Sequence, residues 1–383
     1  MSGTATCSPA FCVYMLRNNK SPQNKQQKMK KILMKNVGSG QHILLWPDDE
    51  DSIVVDFGVN SDKPQTYHNL PLPWVYKKLI ISHFHDDHYN GFYKLSSKAT
   101  APSFFFNRVY YPKMPQIAGS NAVSPFLVNV YIYAITIGIS LSFQQTHYQN
   151  LYDFFKALIN YNSQTIVFTP VNKGNIITST NHSIEILWPE KTTNILNRKP
   201  FEEIYHLFKE ASKLYPHLSS IEQFVRTVLL NLTDSFQGEF ELSSGFLNVN
   251  RNVLSQISNT HLSKNGICSI RKLNKKLKDI LNKWSIAFIT NDDILFLGDL
   301  YAKQINKICK NFMLQSNKLD ILVAAHHGTH IGFMLKKLLV HTSIASIGAK
   351  LYKSKQRRIA FATYNHVSSV FIDTIHHKKD IVV

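Results

Sequence analysis

A short stretch of the chain, IISHFHDDHYNG at residues 80–91, places three histidines and two aspartates within six positions directly after isoleucine residues. β-Branched residues favour a strand, so the polar residues are expected in the loop at its end, where a rigid sheet can hold ligating side chains together. Imidazole and carboxylate are ligands of zinc and neighbouring first-row metals. The spacing His83-x-His85-x-Asp87-His88 therefore predicts a metal site rather than a solvated polar loop.

Three other strand-like segments end on residues of the same chemical kind. One ends in DFG with Asp56, a second ends in FLGDL with Asp299, and a third ends in AAHHGTH with the adjacent pair His326 and His327. Successive side chains of an extended strand point to opposite faces, so the two histidines are expected to point in opposite directions. Together with the histidine-rich loop, these segments make four strand-end sites.

The order of these motifs is similar to that of the metallo-β-lactamase superfamily. The series VGSG, DFG, ISHFHDDHYNG, ILWP, NKWSIAF, FLGDL and ILVAAHHGT more specifically resembles the ComEC-type competence hydrolase domain and its soluble relatives, over about residues 32–190 and 282–372. The resemblance implies an α/β fold, a four-layer αββα metallo-β-lactamase-type sandwich with a binuclear metal centre between its two sheets. It also implies hydrolysis by a water that the two metals activate.

The resemblance assigns metal-binding roles to the clustered residues. It implies that His83 and His85 bind one ion, that Asp87 and His88 bind the second, and that Asp299 bridges the two. The cofactors are expected to be two divalent ions, Zn²⁺ first and Mn²⁺ as the alternative. The complete set of implied metal ligands is His83, His85, Asp87, His88, Asp299, His326 and His327.

Catalytic and supporting roles follow from the same resemblance. Asp87, His326 and His327 are the expected catalytic residues, with one of the paired histidines on a metal and the other facing the scissile group or a supporting carboxylate. The residues do not decide which histidine takes which role. Asp56 and Ser285 fit a supporting role around the ligands, and a purely structural role is the alternative for each.

The sequence departs from the resemblance at two points. Many ComEC-type domains carry a carboxylate where this chain has His85, so the loop is nearer to the general superfamily pattern and should hold two ions more readily. The separate third histidine of the first metal site has no obvious match. His147 and His182 are the candidates, and each is otherwise a structural or surface histidine.

The chain of 383 residues divides into four parts. Residues 1–31 read as an N-terminal tail, and residues 32–189 as the first half of the metallo-β-lactamase domain. Residues 190–281 switch to helical periodicity and are predicted to be a helical insertion. Strand character returns in residues 282–383, the second half of the domain, and includes RIAFAT at 358–363.

The charge balance points to an anionic substrate, because 43 Lys and Arg against 25 Asp and Glu give a formal net charge of +18. Two basic clusters stand out, one between Lys264 and Lys283 on a predicted helix and one between Lys350 and Arg358 in a predicted turn. Phosphodiesters gain more from such charge than lactams or thioesters do. The sequence therefore predicts a metal-dependent phosphodiesterase or nuclease with nucleic acid as substrate.

Two alternatives remain open for the function. A hydrolase of a small ester, lactone, lactam or cyclic nucleotide could use the uncharged segment 114–152 as an apolar pocket, leaving the basic clusters without a role. A non-enzymatic assembly protein could use the predicted insertion as an interface. Salt-sensitive binding of nucleic acid would favour the phosphodiesterase, whereas saturable turnover of a nitrophenyl ester that polynucleotide competitor does not affect would favour the small-molecule hydrolase.

The cysteine and hydropathy patterns favour a cytoplasmic protein. Four cysteines lack a CxxC pattern, and the N-terminal stretch lacks a basic region followed by a long apolar region. The uncharged segment 114–152 is long enough to raise the question of a membrane span, but its Pro, Asn and hydroxyl residues suit a buried helix or an apolar lid better. No stable membrane association is therefore expected, and the oligomeric state stays open.

Overall fold

The computed structural model describes the residues that build two sheets and the helices on one of them. The described residues are 30–38, 40–50, 52–59, 78–92, 106–113, 165–191, 240–242, 278–313, 316–353 and 355–383, with single positions at 158, between 199 and 213, and between 272 and 276. The uncharged segment 114–152, with His147, lies outside these ranges, so its predicted roles stay predictions. Within the described part of the chain, no helix combines the length and the hydropathy that a membrane span requires.

The first sheet has eight strands in the spatial order β15-β1-β2-β3-β4-β5-β6-β9. β1 to β3 form an antiparallel meander, β3 to β6 run parallel, and β15 and β9 pair antiparallel at the two edges. The strands are β1 Ile32–Met34, β2 His42–Leu45, β3 Ile53–Phe57, β4 Lys78–Ile80, β5 Arg108–Pro112, β6 Ile166–Val171, β9 Phe240–Leu242 and β15 Ile381–Val382.

The second sheet has seven strands in the order β14-β13-β12-β11-β10-β8-β7. β11 to β14 run parallel, so their carboxyl ends share one edge, whereas β10, β8 and β7 pair antiparallel. The strands are β7 Ile176–Thr178, β8 Ser183–Trp188, β10 Ala287–Thr290, β11 Ile294–Phe296, β12 Lys318–Val323, β13 Leu339–Ala345 and β14 Ser368–Asp373.

The two sheets pack face to face around a buried apolar core. Val55 and Ile80 from the first sheet belong to the same cluster as Phe288, Ile321 and Ile344 from the second. Each fully buried aliphatic or aromatic side chain stabilises the fold by about 1.5–3 kcal/mol relative to an exposed one. Because each strand contributes alternate side chains to this layer, the core sets the register of both sheets.

Helices cover the outer face of the second sheet. They are α1 Ala302–Phe312, α2 Ala349–Tyr352, α3 Lys355–Val367 and α4 Thr374–His377. In α1, Ile305, Ile308, Cys309 and Phe312 are buried at helical spacing and pack against the sheet in a second core cluster. Three short 3₁₀ turns also lie in the described part of the chain, at Asp86–His88, Ala325–Gly328 and Phe333–Lys337. Two mixed sheets packed face to face, with a helical layer on the second, form the sandwich that the sequence predicted, over the part of the chain that the structure describes.

The structure corrects three points of the sequence analysis. The segment 358–363, expected as a strand, belongs to α3, because Phe361, Tyr364 and Val367 are buried three residues apart and therefore share one helical face. Of the basic residues between 350 and 358, Lys350 accordingly lies on α2, and Lys355, Arg357 and Arg358 lie on α3, while Lys353 alone stays in the turn that the sequence predicted. The block 190–281 is not wholly helical, since β9 lies within it and pairs with β6 as an edge strand.

Candidate metal centre

Strand ends bring the candidate ligands together at one edge of the sandwich. Asp299 follows β11, and the pair His326 and His327 follows β12, which is parallel to β11. The histidine-rich loop follows β4 of the first sheet and is joined to the second sheet by a hydrogen bond from Ile286 N to Ser82 O of 2.8 Å. The predicted convergence of distant strand ends is therefore present.

The first group of converging ligand atoms comes from His83, His85 and Asp299. One ligand atom from each of these residues lies within 4.8 Å of the other two. His83 Nε2 and Asp299 Oδ2 are 3.6 Å apart, and both side chains are buried. These are the residues that the resemblance assigns to one ion and to the bridge.

The second group comes from Asp87, His88 and His327, which also converge within 4.8 Å. His327 Nε2 lies 3.4 Å from Asp87 Oδ2, and His88 Nε2 lies 3.8 Å from Asp87 Oδ1. Of the paired histidines, His327 is thus the one that joins a ligand group.

Asp299 lies between the two groups. Its Oδ2 atom is 3.6 Å from His83 Nε2 of the first group and 3.5 Å from His88 Nε2 of the second. The same oxygen is 3.5 Å from His326 Nε2 at the rim of the site. This position suits the bridging role that the resemblance implies for Asp299.

Buried polar atoms without hydrogen-bond partners show that the groups fit divalent ions. The atoms are His83 Nε2, His88 Nε2, His327 Nε2 and Asp299 Oδ1. Leaving such atoms buried and unpaired costs about 1–3 kcal/mol each, so their convergence calls for a ligand. The contacts of 3.4–3.8 Å are too long for good hydrogen bonds. Two ligands about 2.1 Å from one tetrahedral ion lie about 3.4 Å apart, which matches this spacing.

Asp56 orients the histidines of the loop. Its Oδ1 accepts a hydrogen bond from Ser82 N at 2.7 Å, and its Oδ2 accepts one from Ser82 Oγ at 2.7 Å. Asp56 Oδ2 also lies 2.8 Å from His88 Nδ1. A carboxylate on Nδ1 holds the proton there and directs Nε2 of His88 towards the ligand group. Asp56 thus occupies the position that its predicted supporting role requires.

Ser285 and Ser346 hold the other side of the site. Asp299 N donates a hydrogen bond to Ser285 Oγ at 3.0 Å, and this oxygen lies 3.4 Å from His83 Nδ1. His327 Nδ1 donates to Ser346 O at 3.2 Å, which leaves Nε2 of His327 free to face Asp87. Ser82 and Ser346 were not singled out from the sequence, because nothing in a serine's local pattern shows which distant side chain it contacts.

Burial and charge together set the protonation of the candidate ligands. Burial lowers the pKa of His83 well below its usual value and that of His85 to about 4. Burial alone would raise the pKa of Asp299, but the surrounding histidines lower it well below its usual value. Burial opposes protonation of His88 too, yet Asp299 and Asp56 raise its pKa. Neutral imidazoles and ionised carboxylates, as at His83, His85 and Asp299, are the forms that bind divalent ions.

The paired histidines differ in backbone and surroundings from the expected strand. Both lie in the left-handed region, with φ of 47° at His326 and 55° at His327, in the 3₁₀ turn after β12. A non-glycine residue there is strained by about 1–3 kcal/mol, and such strain is typical of functional sites. The turn still separates the two side chains. His327 is buried against Asp87, whereas the side chain of His326 is 27% exposed.

A third histidine, His330, lies beside His326 and was not singled out from the sequence. The ring centroids of His326 and His330 are 4.1 Å apart. The ring of Tyr301 also stacks on that of His330, with centroids 4.5 Å apart. His330 Nδ1 donates to Leu300 O at 3.0 Å. The signal was present in AHHGTH, where His330 follows His326 by four residues.

The helical segment 278–283, with the helical positions 272 and 275–276 before it, is named the lysine helix here. His85 Nε2 donates to Lys278 O at 3.1 Å, so this segment lies directly against the histidine-rich loop. Its exposed basic side chains are Lys272, Lys275, Lys276 and Lys278. The end of the predicted basic cluster that contains Lys278 is therefore next to the candidate metal centre, whereas Lys264 and Arg271 lie outside the described residues.

His182 is not part of either ligand group. It precedes β8 at the opposite edge of the sandwich, where Nε2 lies 3.3 Å from Asp49 Oδ2 and Nδ1 lies 3.1 Å from Asp292 Oδ2. Its ring stacks on Trp46, with centroids 4.0 Å apart. Because β8 is antiparallel to β10, the start of β8 points away from the ligands, and the candidacy of His182 was wrong.

Comparison with known proteins finds a likeness among solved structures. No protein-family model matches the chain, and no curated protein matches it. The chain is similar to the solved crystal structure of the metallo-β-lactamase fold protein YhfI from Bacillus subtilis, at 10% identity and a TM-score of 0.36, over 89% of this chain and 95% of that chain.

Proposed function

We propose that this protein is a metal-dependent phosphodiesterase that hydrolyses nucleic acid. The single observation that carries the proposal is the contact of the lysine helix with the histidine-rich loop, through His85 Nε2 and Lys278 O at 3.1 Å. A polyanion attracted to the exposed lysines of this helix meets the ligand groups at the same edge. The formal charge of +18 and the ComEC-type resemblance support the same substrate class.

Two groups of residues would hold the ions. His83, His85 and Asp299 would hold one, and a further group of Asp87, His88 and His327 would hold the other. The chemistry that two such ions supply when bound is Lewis acidity towards phosphoryl oxygens and activation of water at neutral pH.

The chain's own residues orient and restrict this chemistry. Asp56 and Ser82 fix the ring of His88, and Ser346 fixes the ring of His327, so the ligand atoms are held in place before the ions bind. His326 lies at the rim with its side chain 27% exposed and its Nε2 3.5 Å from Asp299 Oδ2. We assign His326 to positioning the scissile phosphate or carrying a proton to the leaving oxygen.

The test is hydrolysis by purified protein supplied with Zn²⁺ or Mn²⁺. Labelled DNA, labelled RNA, bis-nitrophenyl phosphate and a nitrophenyl ester are compared side by side. The Asp299→Asn variant is the matched control, because it keeps the side-chain size and reveals any contaminating nuclease. We expect cleavage of a nucleic acid and of the diester by the wild type only. Turnover of the ester that polynucleotide competitor does not affect would favour the small-molecule hydrolase and overturn the proposal.

A further inference from the structure

A second basic region lies at the same edge of the second sheet as the candidate metal centre. Going along this edge, the lysine helix precedes β10, Asp299 follows β11, His326 and His327 follow β12, and α4 follows β14. Adjacent strands are about 4.8 Å apart, so the ends of β12 and β14 are separated by about 10 Å. A strand of nucleic acid that crosses the metal centre from the lysine helix therefore continues towards α4.

A pocket of about 640 Å³ opens at this place, between α2, α3, β14 and α4. We name it the rim pocket, and it is lined by Tyr352, Arg358, Phe361, Phe371, His376 and His377 among others. Its size is within the range of small-ligand sites. The combination of aromatic rings with cationic or imidazole groups suits a ligand that has a flat ring and an anion.

The segment that contributes the rim pocket's lining is rich in basic residues. Residues 349–379 contain seven Lys and Arg residues and a single carboxylate, Asp373. The oxygens of Asp373 are occupied, since Oδ1 accepts from Ile375 N and His376 N, and Oδ2 lies 2.7 Å from His376 Nδ1. Arg358 is exposed and has no carboxylate partner among the described residues. The guanidinium is thus available for an external anion, and phosphate is the anion that its planar fork suits best.

The aromatic wall of the pocket is held in a defined geometry. The ring of Tyr352 stacks on that of Phe361, with centroids 5.9 Å apart and an interplanar angle of 8°. The Tyr352 hydroxyl lies 3.2 Å from His376 Nε2, whose other nitrogen is held by Asp373. Tyr352 and Phe371 are half-buried, so part of each ring faces the pocket. Rings fixed in this way lose little entropy when a nucleobase contacts them.

We propose that the rim pocket binds one nucleotide of the nucleic acid strand whose scissile phosphate lies at the metal centre. Arg358 contacts the phosphate, and the wall that contains Tyr352 contacts the base. The identity of the bound strand as a substrate rests on the proposed function, whereas binding of a nucleotide to the pocket does not.

Binding is measured with the full-length protein as purified, by calorimetry with adenosine 5′-monophosphate and, separately, with inorganic phosphate. We expect Arg358→Gln to weaken the binding of both ligands. Tyr352→Leu should weaken binding of the nucleotide by about tenfold, the scale of one lost base contact, and leave phosphate binding unchanged. Tyr352→Phe keeps the ring and should bind like the wild type. Lys318→Gln is the charge control, because Lys318 is exposed at the start of β12, on the opposite edge.

Cleavage provides the second measurement. For a labelled single-stranded oligonucleotide, we expect Tyr352→Leu and Arg358→Gln to raise KM several-fold with kcat unchanged, while kcat/KM for bis-nitrophenyl phosphate stays at the wild-type value. If no diester is cleaved, the proposed function is contradicted. The calorimetric measurement of nucleotide binding still tests the inference about the rim pocket. Equal nucleotide affinity in the wild type, Arg358→Gln and Tyr352→Leu overturns the inference. So does equal affinity for nucleotide and phosphate in the wild type, which would mean a site for phosphate alone.

Discussion

Asp56 Oδ2 lies 2.8 Å from His88 Nδ1, and both side chains are fully buried. Asp56 itself has a positive φ of 56°, a conformation that Asp and Asn tolerate better than other side chains with a Cβ. Asp56, a strained residue near the end of β3, thus orients the ring of His88 in the neighbouring loop. This relationship connects the backbone of the first sheet to the ligand groups and leads to the first prediction.

Replacing Asp56 by Asn should weaken metal binding without unfolding the protein. Asn suits the backbone conformation and keeps the size, but it loses the charge that holds the proton on Nδ1 of His88. We expect metal affinity to fall by about 10–100-fold, the usual effect of removing such a partner. Competition with a chromogenic chelator measures the affinity. Asp320→Asn is the control, since Asp320 pairs with Lys31 away from the ligands, and equal losses in both variants would contradict the role of Asp56.

Replacing Asp299 by Ala should disturb both ions, because its carboxylate lies between the two ligand groups. The wild type is expected to carry close to two transition ions per chain, and the variant fewer than one. Elemental analysis of dialysed protein measures the metal content. An unchanged stoichiometry in Asp299→Ala would refute the bridging position, even if activity were lost.

Replacing each of the paired histidines by Ala should have a different effect on metal content. His327→Ala should lower metal occupancy and activity together, because Nε2 of His327 faces Asp87 in a ligand group. His326→Ala should keep both ions and reduce turnover by about 10²-fold or more, the scale of a positioned proton-transfer or oxyanion group. Metal content and kcat are measured on the same preparations. Full metal and near wild-type turnover in both variants would remove the HHG turn from the active site.

Neutralising the lysine helix should separate nucleic acid binding from chemistry. Changing Lys272, Lys275, Lys276 and Lys278 to Gln should weaken binding evenly across sequences. It should also lower the salt dependence, by about 0.7 in logarithmic slope for each lysine that contacts phosphate of a single strand. Hydrolysis of bis-nitrophenyl phosphate should persist.

The control for the lysine helix carries the same loss of charge at the opposite edge. It replaces the exposed residues Lys310, Lys318, Lys336 and Lys337 by Gln. Fluorescence anisotropy at several salt concentrations compares the two variants. Equal losses of binding in both would show that total charge, rather than the lysine helix, attracts the substrate.

Protonation of His42 should make the fold sensitive to acid. Burial lowers the pKa of His42 to about 3, and Lys35 adds to the effect, whereas the unfolded chain keeps a pKa near 6.5. The unfolded state therefore binds the proton first, and stability falls as the pH drops from about 6.5 towards 3, by on the order of 1 kcal/mol per pH unit. Urea unfolding of chelator-treated protein between pH 7 and 4.5 measures this. His42→Gln should show a shallower decline, and parallel curves would contradict the prediction.

Much of the candidate site could be predicted from local pattern. Imidazole and carboxylate side chains placed directly after apolar, β-branched segments identify strand-end ligands, as at His83 and Asp299, because a strand delivers its following loop to the sheet edge. The same reasoning predicted a sandwich from two strand-rich parts. It failed at residues 358–363, where β-strand and buried-helix patterns are alike over six residues, and the packing of α3 on the sheet decided the outcome.

The sequence by itself determined which residue types are available to bind metal and where along the chain they occur. Only the tertiary structure decided that His327 and not His326 joins a ligand group, and that His182 lies at the far edge. It also decided that Lys278, 193 residues from His85, lies against the histidine-rich loop. Such contacts depend on how two sheets pack on a common core, and that packing depends on side chains from the whole chain rather than on any local segment.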